Sequence, residues 1–233
     1  MFMRVKFIIH FVCPILLGII ILFWPLTGSS QEVSKDIALT GALHYSQEVF
    51  GPLVHLHAQT FVDLNGVPQI YVFLLCRPDS PLSSLIASQD DFLSGNLLDY
   101  NSPDIVTVVS GANRSHVPVI QMYQGLPDYI LNFNKIKNLL VQTTSNEDWD
   151  LVRYVYPVPL EFWIEFRTPQ SLKVLFVRTS DMKVMDREYV DRLIDERVRN
   201  KGTGENQDRA ERIQKKWEFV ESLIQNQGGE RGD

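Results

Sequence analysis

Cysteine is nearly absent from this chain. There are two, and Cys13 lies inside an apolar N-terminal run, so the rest of the sequence keeps Cys76 alone and cannot form an internal disulfide. Positive charge is also scarce: 22 Lys and Arg stand against 28 Asp and Glu, a net charge of -6. Removing residues 1–30 would take away Arg4 and Lys6, leaving 20 basic residues against 28 acidic ones and a net charge of -8. That balance excludes nucleic-acid binding by general electrostatics. Catalytic signatures are missing too. Ser110 can be drawn into a triad with His116 and Asp104, but VVSGANRSH lacks the glycine-flanked turn that exposes a nucleophilic serine, so a structural role in a tight loop is the better reading. No segment repeats elsewhere in the chain.

What the sequence does have begins at its N-terminus. MFMRVK supplies positive charge, FIIHFVCPILLGIIILFWPL supplies a long apolar core, and Gly28, Ser29 and Ser30 follow as small residues. This is the layout of a secretory signal, with cleavage expected after Ser30. Residues 7–26 are also long enough to span a bilayer, so an uncleaved anchor is the alternative, and it is the chain's sole expected membrane contact. Either form places the remainder outside the cytoplasm: periplasmic, secreted, or held on the outer face of a membrane.

The pattern after residue 30 predicts an α+β fold, antiparallel sheets packed with a few helices, and it allows two small sheet-plus-helix subdomains. DIALTGALHYSQEV carries Ala38, Ala42 and Tyr45 at helical spacing. VHLHAQTFV alternates, placing His55, His57, Gln59 and Phe61 on one face and Val54, Leu56, Ala58 and Thr60 on the other. Asn65-Gly66 predicts a tight hairpin into the strand PQIYVFLLC. Residues 77–104 read as a long connection with one helical turn near Asp90, then DIVTVVSG and VPVIQMY complete a four-stranded antiparallel sheet. NKIKNLLVQ predicts a helix. We expect a first domain over 31–142, the linker TTSNEDWD, and a second sheet plus helix over 149–200. In that second part LVRYVYPVP, LEFWIEFRT and SLKVLFVRT read as strands, the middle one with Glu161, Trp163 and Glu165 on a solvated face. An amphipathic helix follows over 205–227, its stripe formed by Ala210, Ile213, Trp217, Val220 and Ile224, and 228–233 is a flexible tail.

Candidate chemistry is thin. His55 and His57, two apart on a strand, point the same way and with His116 offer a zinc-type ligand set, although a pair of surface histidines explains them as well. Cys76 with a histidine and Asp79 sketches a thiol hydrolase, but Cys76 ends an apolar strand instead of an exposed, acidifying turn. Asn113, Arg114 and Ser115 form a glycosylation sequon, which implies a surface loop. Trp163 between Glu161 and Glu165, and Trp217 on the last helix, are the expected partner-contact residues.

TFVDLNGVPQIYVFLL followed by PDIVTVVSGANRSHVPVIQMYQGLP and a short helix resembles the propeptide and inhibitor module of streptopain-type cysteine proteases. The matching text is YVFLL at Tyr71 to Leu75, VVSG at Val108 to Gly111 and VPVIQMY at Val117 to Tyr123, within residues 36–142. The resemblance implies an exported domain with a helix on an antiparallel sheet that occludes a papain-like protease. No protease domain follows in the chain, and the module's inhibitory contacts do not map residue by residue. The reading is therefore an exported, non-enzymatic binding module without a cofactor, in the form of a propeptide-like inhibitor with a cysteine protease as protein partner. The alternatives are a small metal-dependent or thiol hydrolase using His55, His57, His116 or Cys76, and a structural cell-envelope protein assembling through its C-terminal helices.

Overall fold

A computed structural model of the chain describes residues 31–84, 104–144, 148–169, 173–200 and 207–229. Glu32 to Asp233 group as one compact unit. Among the described residues no helix is long and apolar enough to cross a membrane. The residues of the expected signal, the turn near Asp90 and the tail from Glu230 lie outside those described.

The fold is α+β. Helix α1 (Lys35–Phe50) precedes strands β1 (Val54–Val62), β2 (Pro68–Cys76), β3 (Ile105–Gly111) and β4 (Gln121–Gln124). Short helix α2 (Asp128–Leu131) and helix α3 (Phe133–Thr143) lead to β5 (Asp150–Val158), β6 (Glu161–Arg167), β7 (Val174–Arg178) and β8 (Val184–Asp186). Helices α4 (Arg187–Asn200) and α5 (Gln207–Gly229) close the chain. All eight strands form one sheet in the order β4-β3-β2-β1-β5-β6-β7-β8. The four-stranded antiparallel sheet expected from the first half is present. The expected separation near residue 142 is not a break in the sheet, because β1 and β5 pair in parallel, with Phe61 opposite Tyr154 and Val62 opposite Val155. Two small four-stranded meanders each leave an edge open; joining them there buries Phe61 and Tyr154 together with ring centroids 5.2 Å apart.

Both faces of the sheet are covered, which explains the continuous apolar runs in β2 and β3. On one face Ile70, Val72, Leu74, Phe61, Ile164 and Val177 pack with Tyr129, Ile130, Ile136 and Leu140 of α2 and α3. On the other face Tyr71, Phe73, Leu75, Val106 and Val108 meet Ala38 and Ala42 of α1 and Ile213, Trp217 and Val220 of α5. Farther along that second face Val155, Trp163, Phe176 and Met185 meet Val190 of α4. Helix α1 begins at Ser34, whose hydroxyl accepts the Ile37 amide at 3.3 Å. The hydroxyl of Tyr71 donates to the Val33 carbonyl at 3.0 Å and ties the start of the domain to the sheet.

Several sequence expectations change at this level. The expected hairpin is present, with a β1–β2 connection that spans Asp63 to Val67: Asp63 Oδ1 accepts the amides of Asn65 at 2.8 Å and Val67 at 2.9 Å, and Gly66 supplies the positive φ of 88°. The strand expected over 117–123 is confined to Gln121–Gln124. Strand β8 was too short for alternation to reveal it. The β6 face carrying Trp163 and Glu165 is not solvated, because α4 lies over it; Trp163 is 0% and Glu165 2% exposed. Sequence alternation separates two faces but says nothing of what covers each.

Candidate functional site at a sheet edge

Among the described residues the sheet ends at β4, whose pairing with β3 fixes the direction of its side chains. Met122 stands opposite Val108 on the α1/α5 face, while Gln121 and Tyr123 stand opposite Val109 and Thr107 on the α2/α3 face. Gly125 donates its amide to the Ile105 carbonyl at 2.8 Å, so by the alternation of an antiparallel ladder the Met122 amide and carbonyl point away from β3. The other edge, β8, has three residues and runs directly into α4.

A concavity flanks β4 on each face. On the α2/α3 face a cleft of about 370 Å³ runs from Gln121 and Tyr123 past Asp128 at the start of α2. It reaches Leu160 in the β5–β6 turn, Phe162 at the start of β6, and the β7–β8 turn at Thr179 and Ser180. Asn132 holds this wall by donating from Nδ2 to the Thr179 carbonyl at 3.0 Å. The Leu160 amide donates to the Tyr156 hydroxyl at 2.9 Å, and Leu160 adopts φ 65° with its side chain exposed. Burial, opposed by a hydrogen bond with the Thr107 side chain and reinforced by Asp128, pushes the Tyr123 phenol up to about 12, so it remains a neutral hydrogen-bonding group. Tyr129, at the back of the cleft, is fully buried and raised well above the ordinary phenol value. On the opposite face a groove of about 190 Å³ is lined by Tyr45, Val117, Pro118, Val119, Met122 and Lys216.

The residues singled out from sequence lie elsewhere. A bulge in β1 between His55 and His57 puts His55 opposite Leu75 and His57 opposite Leu74, and those two leucines line opposite faces of the sheet. The two imidazoles therefore do not point the same way, which corrects the expectation of a shared ligand face. His55 rests against Phe73 at 6.0 Å, and desolvation lowers its basicity despite a hydrogen bond with the His57 backbone. His116 sits in the β3–β4 loop, 6.3 Å from the Tyr156 ring. Among the described residues no three His, Cys, Asp or Glu side chains gather as a metal-holding group. Cys76 is buried, and desolvation, with Asp104 adding to it, raises its thiol above the ordinary value, the reverse of nucleophile activation. Ser110 is likewise buried.

Of the expected contact residues, Trp163, Glu165 and Trp217 are internal, while Glu161 is half-buried beside Arg178. Trp163 Nε1 donates to Glu161 Oε2 at 3.2 Å, and Glu165 receives Arg153 Nε at 2.6 Å with Arg167 at 3.6 Å. Trp217 is 0% exposed and donates from Nε1 to the His116 carbonyl at 2.7 Å, so its surface is spent on docking α5 within the chain. Arg114 pairs with Glu221 beside it. The Asn113 sequon is not a surface feature: Asn113 is buried, donates from Nδ2 to Pro68 O at 3.2 Å and Gln69 Oε1 at 3.3 Å, and accepts from Ser115.

Sequence reasoning missed Tyr45, Met122, Tyr123 and Asp128. The available signal was the alternation Gln121-Met122-Tyr123 ending at Gly125 and Pro127. The edge can offer backbone hydrogen bonds, an apolar groove and a polar, carboxylate-bearing cleft. No protein-family model, no curated protein and no solved structure matches the chain.

Proposed function

We propose that the protein is a non-enzymatic exported binding module that takes an extended segment of a protein partner onto the outer edge of β4, beside which no further strand pairs among the described residues. The observation that carries the reading is the placement of two concavities on opposite faces of one edge strand. A strand added beside β4 sends alternate side chains to opposite faces, so backbone pairing supplies affinity while the cleft and the groove read alternate residues. The buried, poorly acidic Cys76 and the dispersed histidines favour recognition over hydrolysis. The resemblance to a streptopain-type propeptide module names a papain-like cysteine protease as the partner class. The apolar N-terminal segment supports export. Titration of the purified protein against papain-like proteases tests the protease form: stoichiometric loss of protease activity is expected. Undiminished activity at micromolar protein, with the β4 amides exchanging unchanged in the mixture, would reject it.

A further inference from the structure

We propose that the segment received on β4 carries an apolar residue opposite Met122 and, next to it in sequence, an Arg or Lys opposite Tyr123. This rests on the binding-module reading above and specifies the chemistry of its partner.

An incoming strand lies about 4.8 Å from β4, and its neighbouring residues face opposite sides of the sheet. The residue opposite Met122 therefore enters the groove beside α1 and α5, where Tyr45, Val117 and Val119 offer apolar contact. About 190 Å³ accommodates one branched or aromatic side chain. Lys216 stands at that groove and repels a second cation, which makes the groove selective against a basic residue as well as favourable to an apolar one.

The adjacent residue, opposite Tyr123, enters the cleft on the other face. Asp128 is the charged group among that cleft's described lining residues, and it lies near enough to Tyr123 to disfavour ionisation of the phenol. A guanidinium or ammonium there meets a carboxylate, a neutral phenol and the polar Ser180, while its methylene stem lies along Phe162 and Leu160. The two sides of the edge thus differ in sign: a lysine borders the apolar groove and an aspartate the polar cleft. A net charge of -6 favours approach of a basic segment.

The test uses the full-length protein in detergent and fluorescent dodecapeptides whose central pair is Ile-Arg, Ile-Glu or Arg-Arg, read by anisotropy at low and physiological salt. Ile-Arg is expected to bind about three- to tenfold tighter than Ile-Glu, an interval set by one partly exposed ion pair. Asp128→Asn should erase that preference and Asp128→Lys reverse it. Backbone N-methylation of the Ile-Arg peptide at the paired amides should abolish binding, and Met122→Pro should do the same in the protein. Equal affinity for Ile-Arg and Ile-Glu, with binding still lost on N-methylation, would overturn the sequence rule and leave edge binding standing. No binding by any peptide at millimolar concentration would overturn both. A dimer of the protein alone that protects β4 and resists all peptides would assign the edge to a second copy and overturn the proposal.

Discussion

Replacing Trp217 with alanine separates an internal role for α5 from an interface role. Trp217 is 0% exposed, sits among Ala38, Ala42, Phe73, Val108, Ile213 and Val220, and gives its Nε1 hydrogen to the His116 carbonyl at 2.7 Å. Truncating a fully buried tryptophan costs about 3–5 kcal/mol through lost transfer energy and the cavity left behind. The hydrogen bond contributes about 1 kcal/mol of that total. Trp217→Phe, which keeps most of the apolar volume and loses the N–H, should cost about 1–2 kcal/mol. Against a domain stability of about 5–15 kcal/mol, Trp217→Ala leaves a folded but weakened protein in which α5 is the first element to undock. Urea titration followed by far-ultraviolet circular dichroism gives both costs, and light scattering on the same samples gives the mass. A loss below about 1 kcal/mol for Trp217→Ala, or a changed mass at unchanged stability, would refute the packing argument and return Trp217 to an interface.

Three further outcomes follow from the same geometry. A Cβ on Gly111 would stand 2.7 Å from His116 Cβ and 2.9 Å from the Val117 carbonyl, so Gly111→Ala should shift the β3–β4 loop and destabilise by about 1–3 kcal/mol in the same urea assay. Arg153→Met removes the nearer of the two cationic partners of Glu165, whose side chain is 3% exposed, and leaves Arg167 at 3.6 Å. It should cost about 2–4 kcal/mol, and the Arg153→Met, Glu165→Leu double variant should recover part of that by calorimetry. Burial raises the Cys76 thiol above 9.0, so the folded chain holds its proton where the unfolded chain begins to lose it. Stability from this group is present below about pH 9 and lost as pH rises through the raised value, and alkylation at pH 8 should be slow when native and fast in urea.

Much of the fold was legible because strand periodicity and helical spacing report which residues share a face. Of the stripe read as Ala210, Ile213, Trp217, Val220 and Ile224, the central three form the docked face of α5, while Ala210 and Ile224 are exposed. What escaped reading were relations between distant segments. Trp163 looked exposed because its neighbours Glu161 and Glu165 are charged, yet a carboxylate is tolerated inside when Arg153 meets it at 2.6 Å and α4 covers the strand. The bulge in β1 broke the parity that placed both imidazoles together, and nothing local in VHLHAQ marks it. The β1–β5 junction rests on two residue pairs, too little sequence to carry a signal. The candidate site was hidden for the same reason: Tyr45, Met122, Asp128 and Leu160 come from four separate elements and converge through the packing of α1, α2 and the β5–β6 turn around one edge.

Amide hydrogen exchange at Met122, measured with and without saturating Ile-Arg dodecapeptide, tests the central claim most directly. Pairing of an added strand to β4 predicts that the outward-pointing Met122 amide slows by about tenfold or more on binding, with the amides of β8 unchanged. Peptide binding that leaves the Met122 amide exchanging at its free rate would contradict the account.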